Sequence, residues 1–314
     1  MVNSLPKKKE QATEEELEEP EQAPEEQEQV QVTEKQVNAK FRMDAYILYE
    51  VVRAIDSVVN YGLEKGDIAE VHLKVSKDGL NASMMDKAKV AMIKLNLSTM
   101  AFDSLDVKSE GELCFNAKDV LSILKNVKRE TQNQDGTIKS EGEKLDFSTE
   151  GAKSTFELEH SDYTRTFTLD QLEPERSMSD VTISGMKNVS NFAIHTKDLE
   201  RILHDIAVVE GNYVRLIIGE DKVRVESGHD TTPATKSFGA DLIGVTPEKG
   251  SIALIASYDL GFLTSFVSNL PKEADLLKFS ITRIGESENI GPVIVNVNAY
   301  NEFSVMLAPR YEIE

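Results

Sequence analysis

Residues that commonly do covalent or metal chemistry are sparse in this chain, and their spacing forms no reactive set. The five histidines, His72, His160, His195, His204 and His229, show no recognised metal-ligand spacing. Cys114 stands alone, which excludes an internal disulfide and any metal site built from several cysteines. There is no Gly-rich phosphate loop, zinc signature or nucleophile motif. The chain therefore reads as non-enzymatic, with no cofactor and no metal. The residues that do form a pattern are bases. Lys118, Ser122, Lys125 and Arg129 fall at i, i+4, i+7 and i+11 of a predicted helix, with Lys128 beside them. They lie away from an apolar face of Val120, Leu124 and Val127. Bases fixed on one helix face attract a phosphate backbone without regard to sequence. An ordinary solvated face is the alternative reading.

The stripe stands out because of its setting. The chain has 314 residues, with 55 Asp+Glu against 35 Lys+Arg and a net charge of −20. Spread evenly, that balance would exclude a general nucleic-acid binder and a membrane-surface protein. The charge is not even. Residues 1–38 hold 11 Glu, no Asp, 4 Lys and no aromatic residue, a net of −7. Such a segment buries too little apolar surface to offset chain entropy and is expected to be a disordered acidic extension. The remaining residues carry −13. No apolar run is long enough to span a bilayer, and no secretory signal is visible. A single cysteine fits a reducing compartment.

The elements that must position the bases recur four times. An apolar strand leads into a short amphipathic helix, and two or three alternating strands follow. Leu48, Val51, Val52, Ile55, Val58 and Val59 mark the first helix, and Asp78-Gly79 a tight hairpin after it. The second unit opens at Glu112–Asn116, the third at Phe192–Ile194 and the fourth at Ser251–Ile255. Leu199, Ile202, Leu203 and Ile206 mark the third helix, and the fourth is expected over about Tyr258–Ser268. Strands with helices laid on one face make a layered α+β fold, and two units per domain give two similar domains. Residues 39–169 are expected to be the first, 170–189 a connector and 190–314 the second.

Four segments resemble the DNA sliding clamps of the proliferating cell nuclear antigen type, archaeal members above all. They are Asp78-Gly79-Leu80 with Met85-Asp86-Lys87-Ala88-Lys89-Val90, then Thr164-Arg165-Thr166-Phe167, then Asp198-Leu199-Glu200-Arg201-Ile202-Leu203, and the ending Leu307-Ala308-Pro309-Arg310. In order, inside a fourfold repeat, they cover the chain from about residue 40 onward. The resemblance implies a closed ring of three subunits, helices lining a central hole and sheets outside. It also implies encirclement of duplex DNA as a processivity factor for DNA polymerase, and tethering of replication and repair enzymes. A clamp loader would be a further partner. Such a ring would work in the nucleoid-bearing cytoplasm of an archaeon or the nucleus of a eukaryote. A subunit of a heterotrimeric or checkpoint-type clamp is the alternative.

The same resemblance assigns sites. The DNA-facing set is Arg53, Lys118, Lys125, Lys128, Arg129, Lys197, Arg201 and His204, with the first and fourth helices nearly bare of bases. A pocket for short helical client peptides would be lined by Met85, Val90, Met92, Leu172, Pro292, Met306, Leu307, Ala308 and Pro309, with Met178 and Val181 closing one side. The joint between subunits would pair Thr164–Leu169, including Arg165, Thr166 and Phe167, with roughly Ala234–Ala240, including Thr235, Lys236, Ser237 and Phe238.

Overall fold

Each of the four α-helices among the described residues begins where a strand ends, and the strand's last residue is the cap. The computed structural model describes residues 36–132, 138–174, 185–229, 236–247, 254–285 and 290–310. Strand β1 (Asn38–Asp44) runs into α1 (Ala45–Val59), whose cap Asp44 accepts from the Tyr46 N–H at 2.8 Å. After α1 come β2 (Glu70–Ser76), β3 (Gly79–Met85), β4 (Ala91–Ser98) and β5 (Phe102–Ser109). Strand β6 (Gly111–Asn116) feeds α2 (Ala117–Leu124), with Asn116 accepting from the Lys118 N–H. The short pair β7 (Thr131–Gln132) and β8 (Ile138–Ser140) follows, then β9 (Lys144–Glu150), β10 (Lys153–His160) and β11 (Tyr163–Asp170).

In the second half, β12 (Met186–His195) leads to α3 (Thr196–Val208), then β13 (Tyr213–Ile218), β14 (Val223–Gly228) and β15 (Gly239–Asp241). Strand β16 (Leu254–Asp259) leads to α4 (Leu260–Ser268), capped by Asp259 on the Phe262 N–H. Strands β17 (Leu276–Ile284), β18 (Ile290–Val297) and β19 (Glu302–Leu307) complete it. Asp and Asn serve at three of the four caps because a short side-chain oxygen satisfies a first-turn N–H that has no helical partner.

Within each half the units exchange their opening strands. The post-helix strands β2, β3 and β4 join β6 through β2, while β9, β10 and β11 join β1 through β9. The second half repeats this: β13, β14 and β15 join β16 through β13, and β17, β18 and β19 join β12 through β17. The halves then join, because β19 pairs antiparallel with β4 from Glu302↔Asn96 to Leu307↔Ala91. The result is an eight-stranded sheet, β12-β17-β18-β19-β4-β3-β2-β6, flanked by the sheets β11-β10-β9-β1-β5 and β15-β14-β13-β16.

The helices lie against the sheets in one row, α2-α1-α4-α3, since α1 packs on α2 and α4, and α4 on α3. Leu48, Val51, Val52, Ile55, Val58 and Val59 of α1 are all within 2% of full burial. Burying each of these contributes about 1.5–3 kcal/mol over leaving it in water. At the hairpin, Ser76 pairs with Gly79, so the loop is Lys77-Asp78 and the glycine opens β3. Only glycine suits that position: its φ is +133°, and a Cβ there would sit 1.9 Å from the Leu97 carbonyl oxygen.

Several expected boundaries move. Val37 is already buried and Asn38 pairs with Glu150, so the fold takes in the last residues assigned to the extension. Residues 1–35 lie outside the described residues. Strand β12 starts at Met186, inside the stretch expected to be connector. Strand β15 lies at Gly239–Asp241, at the C-terminal end of the stretch, roughly Ala234–Ala240, expected to pair between subunits. Strand β5 was not foreseen, because its half-exposed faces show no clean alternation.

Candidate functional site

The outer helices of the row carry the exposed bases. On α2, Lys118 and Ser122 are exposed, as is Lys125 at its C-cap. The expected stripe stops there. The helix ends at Leu124, where the Val127 N–H turns back to the Leu124 carbonyl, so Lys128 and Arg129 are not on it. The Lys128 carbonyl accepts from the Glu143 N–H, and its Nζ lies 3.1 Å from His160 Nε2 beside β10. Arg129 is half-buried, ion-paired with Glu273, and its guanidinium lies 5.5 Å from the Tyr46 ring centre. On α3, Lys197, Arg201 and His204 are all exposed, with Asp198 and Glu200 among them.

The inner helices differ. No residue of α1 is fully exposed, and its half-buried outer side shows Tyr46, Tyr49, Arg53 and Asp56. Arg53 donates from Nη2 to the Leu270 carbonyl at 3.1 Å and lies 5.4 Å from the Tyr49 ring centre. It clips α1 to the end of α4 and is not a free base. The exposed stripe of α4 is Gly261, Thr264 and Ser268, with no charge. Gly261 is fixed by contact: a Cβ would come within 2.1 Å of the Tyr61 hydroxyl oxygen, which donates to Asp259 Oδ1.

Nearer the start of α1 lies a polar clamp that the sequence pattern gave no sign of. Buried Glu50 accepts from the Lys272 N–H at 3.1 Å and the Tyr300 hydroxyl at 3.2 Å, tying α1 to two loops of the second half. Burial, and then the Glu50 charge, push the Tyr300 phenol up. Burial also pushes the Asp44 carboxyl up, only partly offset by the Tyr46 N–H that it caps.

On the outer face of the eight-stranded sheet, register gathers the methionines. Met85 pairs with Met92, Met92 with Met306, and Met306 with Ile294, so the four side chains form one row on one face. The Ala308 N–H to Val90 carbonyl bond continues the ladder, and alternation sets Val90, Ala308 and Pro292 alongside. Val90 is 47% exposed, Met85, Met306, Ile294 and Ala308 are half-buried, and Met92, 2% exposed, and Pro292 are buried. Ile294 belongs to this patch and was missed, because only cross-strand register brings it there.

Two residues expected in the pocket are elsewhere. Leu307 has the opposite parity, is only 3% exposed and faces the core. The Leu172 N–H donates to the Cys114 carbonyl on β6, so β6, β2 and β3 separate it from Met92. Half-buried Pro309 follows the end of β19, just before Arg310 bridges to Ser257 on β16. Met178 and Val181 lie outside the described residues.

Among the described residues the three large sheets end in β11 and β5, β12 and β6, and β15 and β16; of these edge strands, β11 and β15 are the ones that meet the segments expected at the subunit joint. Along β11, Thr164, Thr166 and Thr168 are exposed, while Arg165, Phe167 and Leu169 are half-buried. Arg165 is ion-paired with the fully buried Glu143 of its own chain. On β15, Asp241 is held by Arg224 and Lys222, and these keep its carboxyl below the usual range. Lys236, Ser237 and Phe238 precede β15 and are not strand, although Phe238 and Ser227 exchange backbone and hydroxyl bonds. Thr235 lies outside the described residues.

No family model matches the chain. Two curated relatives are similar in sequence. One is the DNA polymerase sliding clamp 1 of Sulfurisphaera tokodaii, 25% identical over 200 residues, spanning 59% of this chain and 73% of that protein. The other is its namesake from Sulfurisphaera ohwakuensis, 26% identical over 194 residues, with the same shares. Three solved structures share the fold. The proliferating cellular nuclear antigen of Entamoeba histolytica superposes with a TM-score of 0.67 at 18% identity, covering 88% of this chain and all of that one. The PCNA of Thermococcus kodakaraensis gives 0.66 at 15%, over 87% and 100%. The PCNA2–PCNA3 complex of Sulfolobus tokodaii gives 0.66 at 17%, over 86% and 99%. The fold is that of the sliding clamps.

Proposed function

We propose that this chain is a subunit of a DNA sliding clamp, a ring that encircles duplex DNA and tethers polymerase and other DNA enzymes. The exchange of strands between units carries the reading. Strand β4 is the third strand after its helix and β19 the last of its half, and these two pair within the chain. Strands β15 and β11 hold the equivalent positions in the opposite halves, and both are edges. Pairing β11 of one copy with β15 of the next would repeat the internal junction between subunits. A head-to-tail contact of this kind closes into a ring when the rotation allows. The two domains would run from about Val37 to Asp170 and from Met186 onward, with three copies per ring as the resemblance implies.

In such a ring α3 of one subunit would neighbour α2 of the next. Lys118, Lys125, Lys197, Arg201 and His204 would then gather at the joints, between stretches of α1 and α4 with few bases. DNA would be held by encirclement and weak, sequence-independent contacts. The chain would act without catalysis of its own. The patch of Met85, Met92, Met306, Ile294, Val90, Ala308 and Pro292 suits the apolar anchors of a short helical client peptide, because methionine adapts to different shapes.

A heteromeric ring is the second reading. The nearly bare α1 and α4 favour it, as does the likeness to a complex of two different clamp proteins. Light scattering with small-angle X-ray scattering on the purified chain decides. A flat trimer with a central hole supports the homomeric ring. A monomer that trimerises only with related chains supports the heteromer, and a monomer that assembles with neither would sink the clamp reading.

A further inference from the structure

Away from the helix row, β2 and β6 carry a buried set of donors. Glu70, His72 and Cys114 are 1%, 0% and 3% exposed. The ladder sets His72 opposite Cys114, and alternation puts Glu70 on the same face, away from the core residues Val71 and Leu113. A carboxylate oxygen of Glu70, a ring nitrogen of His72 and Cys114 Sγ all lie within 4.8 Å of one another. His72 Nε2 is 2.9 Å from Glu70 Oε2, and His72 Nδ1 is 2.6 Å from Glu112 Oε1.

Thiolate, imidazole and carboxylate are the donors that zinc takes, and three protein ligands with one open position is a recurring zinc arrangement. A ligating histidine nearly always gives its second ring N–H to a carboxylate, which fixes the ring, and Glu112 stands where that partner is needed. Two carboxylates flank the one imidazole, Glu70 at 2% and Glu112 at 32% side-chain exposure, and a divalent cation would offset their negative charge. We propose that Glu70, His72 and Cys114 form a binding site for a zinc-class divalent ion, with Glu112 as the positioning residue behind His72. The ion takes the place of the proton between Nε2 and Glu70. That proton and the Cys114 thiol proton leave to solvent, and no redox change is involved. The Cys114 backbone carbonyl also accepts from the Leu172 N–H at 2.9 Å. A bound ion therefore braces the sheet edge where the chain leaves its first half. The proposal does not depend on the clamp reading.

Cobalt(II) titration of the full-length, untagged, chelator-treated protein tests it. The expected result is a near-ultraviolet thiolate-to-cobalt charge-transfer band that saturates at one ion per chain and is lost on adding zinc. Cys114→Ser abolishes the band. Glu112→Gln keeps it while weakening affinity about 10- to 100-fold. Zinc raises the melting temperature of the parent but not of Cys114→Ser. Absence of the band from the folded parent overturns the site, as does a band that survives in Cys114→Ser. Should Cys114→Ser fail to fold, the parent's band and stoichiometry decide alone.

Discussion

The inner helices α1 and α4 and the outer helices α2 and α3 arise from the same strand–cap–helix unit, yet their polar residues do different work. On the inner pair, charge is spent on packing. Arg53 binds the Leu270 carbonyl, Glu50 holds Lys272 and Tyr300, and Tyr61 reaches Asp259. On the outer pair, Lys118, Lys125, Lys197 and Arg201 stay exposed. A helix flanked on both sides has its polar side chains recruited by neighbours; a helix at the end of the row does not. A stripe of bases thus means different things at different places in the row.

Glu50→Ala should break the inner pair most severely. It leaves the Tyr300 hydroxyl and Lys272 N–H without their acceptor and should cost about 2–3 kcal/mol, read as a lower urea midpoint. Replacing Lys118, Lys125, Lys197 and Arg201 together by Ala should leave that midpoint unchanged. It should weaken retention on DNA about tenfold, near 1.4 kcal/mol, and flatten its salt dependence. Unchanged retention across a salt series would remove the role proposed for the outer pair. Arg53→Ala sharpens the contrast: about 1 kcal/mol less stable by urea unfolding, with little change in salt dependence.

The smallest effect is expected at Asp44→Asn, which keeps the cap acceptor and removes a charge. Burial raises the folded Asp44 carboxyl above its ordinary value, so its ionised form opposes folding at pH above that raised value. The variant should gain most over the parent at neutral pH. The gain should shrink as pH falls through the raised value, as thermal melts across pH would record.

The fourfold repeat was legible because each unit announces itself locally. The 3.6-residue spacing of Leu48 through Val59 and of Leu199 through Ile206 marked α1 and α3, and alternation marked β9, β10 and β19. The end of α2 was not legible. Val127 continues the helical spacing, but its side chain reaches the core from a turn beyond Leu124. Arg129 therefore looked like the last base on a stripe and stands instead against Glu273 and Tyr46. Of the residues proposed for the client pocket, Met85, Met92 and Met306 are cross-strand neighbours, whereas Leu307 falls on the other face by one residue of parity.

By itself the sequence determined the units, their order and the acidic balance, since these depend on periodicity and composition within short windows. Only the tertiary structure decided which strands exchange, which edges stay open and which bases remain exposed. It alone brought Glu70 and His72 beside Cys114, some forty residues further along the chain. Such pairings join residues distant in sequence through backbone register, and register is settled by the packing of whole sheets, which no local spacing encodes.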